Sequence, residues 1–359
     1  MTTTALTVSA VNPPIRLLGS DGKTHLEYDL ILQSMVNAPV TVISIEVLAP
    51  DGASLLKLDR DEVAKFTTPA FTGPPTAVVP ASGALGTVID VVVPPDNVPD
   101  GLNHRISYRP GTSDLGSIVG ARDIVGPELD VDPRQPTTIS SPLKGQAWLN
   151  ANSCCVPEAP HRGARIAVGG NSVKKFEEFA IDWVQLRDGR LFEGDGSRNE
   201  QWYGFGTDVV SVAFDGMPEQ TPNTPAAGLR GPRDYSGNHV SLQISPGVWA
   251  VYAHLQPGSV SVKTGDEVRK GQVIGKLGNS GNSSGPHLHF QLSDGPEITT
   301  SNSLPFSLDS YSLAGAVDPA QLSAATDAKG VPPPLHVVGP GRQESNSYPV
   351  MYTVTNLGS

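Results

Sequence analysis

Apolar and polar residues alternate in short bursts along the first 140 or so positions, and no sustained helical period takes over. In Thr24–Gln33, Leu26, Tyr28, Leu30 and Leu32 alternate with His25, Glu27, Asp29 and Ile31. Residues two apart on a strand share a face, so this segment reads as a strand with one apolar side. Val40–Leu48 repeats the pattern, with Ile43, Ile45 and Val47 on one face. Ala5–Val11, Thr87–Val93 and Asn103–Tyr108 are similar, and each of the five segments is bounded by Pro, Gly, Asn or Asp.

This run predicts an N-terminal β-sandwich of immunoglobulin-like type over residues 1–140. His25 and His104 fall inside its strands and read as solvent-facing or hydrogen-bonded residues. Pro133–Pro142, rich in Pro, Thr and Ser, reads as a linker. A second domain is expected over 145–315. Residues 316–359 read as a Pro/Gly-rich connector, its flexible part Asp327–Pro349, followed by one terminal strand in Tyr348–Leu357.

Composition supports an all-β chain. Gly (38) and Pro (33) make about a fifth of the 359 residues, well above ordinary usage, and favour turns between short strands. A net charge of −11 argues against nucleic acid, which demands a concentrated basic surface. No apolar run reaches the roughly 18 residues of a membrane span. The opening residues lack the basic and apolar regions of a secretory signal. Cys154 and Cys155 are adjacent and read as two small buried thiols, ahead of a bond between neighbours or to another chain.

The chemistry concentrates near position 288. In Pro286-His287-Leu288-His289-Phe290, two imidazoles two apart on a strand enter one small volume. Before them lies Gly278-Asn-Ser-Gly-Asn-Ser-Ser-Gly285, a loop with too little side chain to build a core. Gly265–Gly275 reads as two short strands around a tight turn, and Val248–Leu255 as an apolar strand ending near His254.

A metal site needs ligands from elsewhere too, and His161 and Asp182 are the best candidates. The stretch between them looks like a hairpin turning at Gly169–Ser172. A turn centred between Asn171 and Ser172 sets His161 opposite Asp182, at about 5 Å between Cα atoms. Ile166, Val168, Phe179, Ile181 and Trp183 would then form the core side, and a slip of one residue would spoil the site. Two histidines, one carboxylate and an open position form a pattern used by catalytic zinc; an all-oxygen calcium cage does not fit.

Tyr252-Ala-His254-Leu, the Gly265–Gly275 segment and Gly278–Phe290 together resemble the lysostaphin/LytM-type zinc metallopeptidases of the M23 peptidase family. The resemblance covers roughly residues 160–295. It implies an antiparallel β domain with a groove, one Zn2+ ion, and an endopeptidase acting on bacterial peptidoglycan peptides. By that match the metal ligands are His161, Asp182 and His289, and His254 and His287 are the catalytic histidines. The family's first ligand pair usually stands four residues apart, whereas His161 and Asp182 are 21 apart. A subgroup with a Phe-Ala-Ile-Asp-Trp stretch supplies the match to Phe179–Trp183. Val209–Asp215 runs straight into the Pro-rich Met217–Pro225, which shortens a strand-turn-strand common in the family.

The resemblance also implies a place outside the cytoplasm, in the periplasm or cell wall. Two other functions have sequence features behind them. A catalytically inactive module of the family, binding cell wall or activating a partner hydrolase, would be marked by a lost ligand. A lipoyl- or biotin-type carrier domain would present a lysine at a hairpin tip, but Lys270 and Lys276 lack that context. His239 reads as a strand-surface or groove-lining residue, His336 as irrelevant, and Asp188, Asp195 and Asp208 as solvated.

Overall fold

The computed structural model of the chain describes residues 3–69, 73–111, 119, 122–209, 213–214, 217–328 and 330–358. They divide into two compact units: Met1–Pro136 with Cys155–Lys174, and Thr137–Cys154 with Lys175–Ser359. A single break near residue 140 thus becomes a chain that enters the second unit, returns to the first for twenty residues, and crosses again.

The first unit is a sandwich of two antiparallel sheets. One orders Leu6–Ala10, Thr24–Ser34, Ala84–Val93 and Thr67–Thr68, with Ile15–Leu18 also on Thr24–Ser34. The other orders Asp123–Val125, Gly101–Pro110, Val40–Leu48 and Ser54–Leu58. Leu26, Tyr28, Leu30 and Leu32 join Val40, Val42, Ile45, Val47, Ile89 and Ile106 in one fully buried cluster. Each such aliphatic side chain contributes about 1.5–3 kcal/mol by leaving water. Ile43 does not join this face. A β-bulge between Val42 and Ser44 resets the alternation, so Val42 and Ile45 share the core side instead.

The opposite face of Thr24–Ser34 is also buried over His25, Glu27 and Asp29. Glu27 and Asp29 are wholly buried because Arg162 and Arg165 lie on them. Arg162 pairs with both carboxylates, reaching Asp29 Oδ1 at 2.8 Å, and Arg165 binds the second Asp29 oxygen. Arg162 also donates to the Tyr28 and Ile89 carbonyls, both at 3.1 Å. His25 and His104 are hydrogen-bonded and buried: His25 Nδ1 lies 3.0 Å from Asp90, and His104 accepts from the Tyr28 hydroxyl at 2.7 Å.

The second unit is built on a ten-stranded sheet. Its central run orders Asn238–Ser245, Val248–Leu255, Leu288–Ser293, Ile181–Gln185, Gly145–Asn152, Thr353–Leu357 and Tyr311–Ala316. The terminal strand therefore lies inside this sheet, between two others. Three stretches differ from the sequence expectation. Thr137–Ile139, within the supposed linker, pairs in parallel with Phe306–Leu308. Arg342–Glu344, within the supposed flexible connector, is a strand on Tyr311–Ala316. Gly265–Gly275 holds no pair of strands; only Gly275–Lys276 is one, paired with Asp208–Val209. Cys154 and Cys155 are disulfide-bonded to each other rather than two thiols. Among the described residues no helix is long and apolar enough to cross a membrane.

Candidate metal centre

Three neighbouring strands of the second unit carry the site. Leu288–Ser293 lies between Ile181–Gln185 and Val248–Leu255, with Asp182 and Ala253 both opposite His289. Directly opposed residues share a face, and so do residues two apart on one strand. Asp182, His287, His289 and Gln291 therefore project together. The other face takes Ile181, Tyr252 and Phe290, where the Tyr252 and Phe290 rings pack at 4.9 Å. Burial of these apolar groups holds the register that presents the polar ones.

Asp182 is the meeting point. Its Oδ1 lies 3.1 Å from His289 Nδ1 and 3.2 Å from His287 Nε2, while Oδ2 accepts from Asn152 Nδ2 at 3.0 Å. His287 Nδ1 donates to the Gly285 carbonyl at 2.7 Å. His289 Nε2 donates to Gln291 Oε1 at 2.9 Å, and the Gln291 amide nitrogen is itself committed to the Phe176 carbonyl and Ser293. With these tautomers each neutral ring turns a lone pair, not a proton, toward the same carboxylate oxygen. Three lone-pair donors aimed at one point repel unless a cation lies among them. This donor set of nitrogens and oxygen suits a borderline divalent metal rather than calcium.

His254 reaches the cluster by a break in the strand. Regular alternation after Ala253 would send its side chain to the face of Tyr252. Its backbone instead adopts a left-handed φ of 63°, uncommon for a side chain of this size. The imidazole then lies 4.7 Å from His287, tilted, and 5.6 Å from His289, edge-on, centroid to centroid. Its Nδ1 donates to the Ser280 carbonyl at 2.8 Å, leaving Nε2 as an acceptor. One nitrogen from each of the three rings falls within 4.8 Å of the others. Spacing alone does not divide ligands from proton-handling groups here.

The Gly-rich loop serves this arrangement by close backbone approach. A Cβ on Gly281, at φ 76°, would sit 2.3 Å from the Gly237 nitrogen. Ser280 is the loop's tie point: its hydroxyl donates to the Leu255 carbonyl at 2.7 Å and accepts from the Asn238 amide at 2.9 Å. Burial, helped by the neighbouring His287 and His289, pushes the His254 pKa well below the ordinary imidazole value. For His289, burial opposes charge, but the neighbouring negative charge of Asp182 outweighs it and raises the pKa. His254 and His289 are buried, whereas the His287 and Asp182 side chains keep 12% and 16% exposure, so the cluster opens to solvent on their side.

The hairpin reading needs correction. Ile166–Val168 and Ser172–Lys174 do pair, but with Val168 opposite Ser172 across a three-residue turn. Gly169 and Gly170 both take left-handed φ, 63° and 73°, which centres the turn on Gly170 and shifts the register. The ladder ends at Ile166 and Lys174, and Asp182 pairs with His289 and Asn152 instead of His161. Phe179, Ile181 and Trp183 are core residues, while Ile166 and Val168 are only half-buried. His161 is buried on a turn of the Cys155–Lys174 segment, which groups with the first unit.

Gln291 and Ser280, which orient His289 and His254, went unnoticed in the sequence. Gln291 was within reach, as the next same-face position after His287 and His289. His239 is buried rather than strand-surface, its Nδ1 on the Gly237 carbonyl at 2.8 Å. His336, Asp188, Asp195 and Asp208 are exposed. Of Val209–Asp215, residues 210–212 and 215 lie outside the described residues; Ala213–Phe214 pairs with Asn238–Ser245.

Residues 225–300 match the family described as Peptidase family M23. Peptidoglycan DD-endopeptidase ShyA of Vibrio cholerae is 38% identical over 83 residues, 23% of this chain and 17% of that protein. Glycyl-glycine endopeptidase ALE-1 of Staphylococcus capitis is 47% identical over 58 residues, 15% of each. Lysostaphin of Staphylococcus staphylolyticus is 40% identical over 75 residues, 20% of this chain and 15% of that protein. The matched stretch thus spans less than a fifth of the length of these relatives. His254, His287 and His289 fall within the family match, and the chain carries a peptidase family M23 domain.

Proposed function

We propose that the chain is a zinc-dependent endopeptidase that hydrolyses peptide bonds of bacterial peptidoglycan, and that it works outside the cytoplasm. The observation that carries this reading is the shared Asp182 oxygen, faced by lone pairs of both His287 and His289. The ligands on this reading are Asp182, His289 and, carried over from the sequence match, His161. When bound, the zinc ion supplies Lewis acidity to a water molecule and to the scissile carbonyl.

The chain's own residues supply the rest. Gln291 holds the His289 ring so that Nδ1 is the ligating atom. Asn152 holds the second Asp182 oxygen and keeps the first turned toward the imidazoles. His254, its Nδ1 proton committed to Ser280, offers Nε2 to take a proton from the attacking water. His287, on the open side with its Nδ1 proton on the Gly285 carbonyl, would donate to the developing oxyanion or leaving amine once its Nε2 is protonated. Names such as DD-endopeptidase and glycyl-glycine endopeptidase among the relatives support a cell-wall peptide as substrate.

The test combines metal analysis with digestion of purified peptidoglycan, comparing wild type with Asp182→Ala and His289→Ala. Wild-type protein is expected to hold about one zinc per chain and release soluble peptides. Chelation should stop release and added zinc restore it, and both variants should be inactive. Full activity in either variant rejects the assignment. His161→Ala tests the third ligand separately, through zinc affinity.

A further inference from the structure

Glu219 precedes the stretch matched to the family and makes no hydrogen bond to the imidazoles, yet its side chain is tied to the loop that orients one of them. Its segment runs antiparallel to the Gly-rich loop, with Glu219 bridging Ser280 and the Gln220 amide donating to the Asn279 carbonyl at 2.8 Å. Glu219 Oε2 accepts the Asn279 amide proton at 2.5 Å. Oε1 is buried without a hydrogen-bond partner, packed where a Cβ on Gly278 would come within 2.6 Å. Burial pushes this carboxyl up to about 7, against the pull of the Asn279 amide. A carboxylate set at such cost against a glycine loop calls for a reason.

The connection runs through one peptide unit. Asn279, gripped by Glu219, is followed by Ser280, whose carbonyl accepts the His254 Nδ1 proton at 2.8 Å. Asn279 has side-chain ties of its own, to Asn199 at 2.9 Å and to the Gln220 carbonyl at 3.0 Å. The glycines at both ends and in the middle of the loop give its backbone little stiffness of its own. Outside contacts therefore have to aim the Ser280 carbonyl. We propose that Glu219 is a positioning residue for the peptidase reaction: by holding the Asn279 amide it sets the Ser280 carbonyl that selects the tautomer and direction of His254.

This rests on the peptidase reading above, and the experiment separates the two. Glu219→Ala and Glu219→Gln are compared with wild type for kcat and KM on peptidoglycan, zinc content, thermal stability, and the His254 imidazole resonances by nitrogen-15 NMR. Glu219→Ala is expected to lower kcat by about 10–100-fold, as loss of a group behind an active imidazole does. KM and zinc content should stay as in wild type, and the His254 Nδ1–H signal should shift or vanish. Glu219→Gln keeps an oxygen for the Asn279 amide and should restore both kcat and the resonance. Wild-type kcat in the alanine variant overturns the proposal, as does a kcat loss with an unmoved His254 resonance. If wild type hydrolyses nothing, the peptidase reading fails. The His254 resonance in Glu219→Ala then still decides whether the loop link exists.

Discussion

Both units bury a histidine beside carboxylates on adjacent strands, and they use them in opposite ways. In the first, Glu27 and Asp29 meet two guanidinium groups that donate to carboxylates and nearby carbonyls alike. His25, Glu27 and Cys155 even fall at metal-ligand spacing, as do the imidazoles of the second unit. But Cys155 is in a disulfide, Glu27 is bound by Arg162, and His25 is held between Asp21 and Asp90. Every donor there has a fixed proton or partner. In the second unit the ring nitrogens facing Asp182 are both acceptors. Spacing is common to the two; what separates a structural cluster from a candidate metal centre is where the protons already are.

The largest effect that would test this contrast is at Asp182. Asp182→Asn removes the shared anion with almost no change in volume, so peptidoglycan hydrolysis and zinc binding should drop to background. The fold should persist, with thermal stability near that of wild type. Next is Arg162→Met, which strands Glu27 and Asp29 as buried, under-compensated charges. Breaking a buried pair from one side typically costs about 3–5 kcal/mol. All four tryptophans lie in the second unit, so fluorescence reports that unit, and amide exchange along Thr24–Ser34 reports the first. Exchange should accelerate accordingly in Arg162→Met. Adding Glu27→Gln and Asp29→Leu should recover much of the protection, since apolar or neutral replacement of a whole buried ionic group is often tolerated. Smaller again is His254→Ala, expected to lower kcat about 10²-fold while zinc stays bound, as for loss of a proton-transfer group. Loss of zinc in that variant would make His254 a ligand instead.

The same contrast explains what could be read from the chain before folding. The apolar alternation of Thr24–Ser34 gave its core face directly, and the His287–His289 pair needed only the period of a strand. Asp182 was found through the residues around it, although by a hairpin register that does not form. Two left-handed glycines moved that turn, and glycine permits such a shift without announcing it. The left-handed backbone at His254 was equally silent, because nothing in the strand pattern shows where alternation breaks. Arg162 carries no local signal of its role; its carboxylate partners lie more than 130 residues away, and no local pattern links them. Local periodicity was legible, whereas left-handed backbone and long-range charge pairing were not.

The mildest test concerns His25, the first unit's counterpart of His289. Burial disfavours its charge, but hydrogen bonds to Asp21 and Asp90, with Glu27 nearby, raise its pKa from 6.5 to about 10. The folded-state value lies above the unfolded one, so folding favours the protonated ring. Its contribution is fully present below pH 6.5 and is lost as pH rises through about 10. One bound proton of difference changes stability by at most about 1.4 kcal/mol per pH unit. Between pH 7 and pH 8, protection of the Thr24–Ser34 amides, corrected for intrinsic exchange rates, should therefore fall by about 1 kcal/mol. In His25→Gln that slope should flatten, even if the variant is less stable throughout. An unchanged slope would mean that His25 is neutral in the folded chain, and the two carboxylates would then need some other cation to balance them.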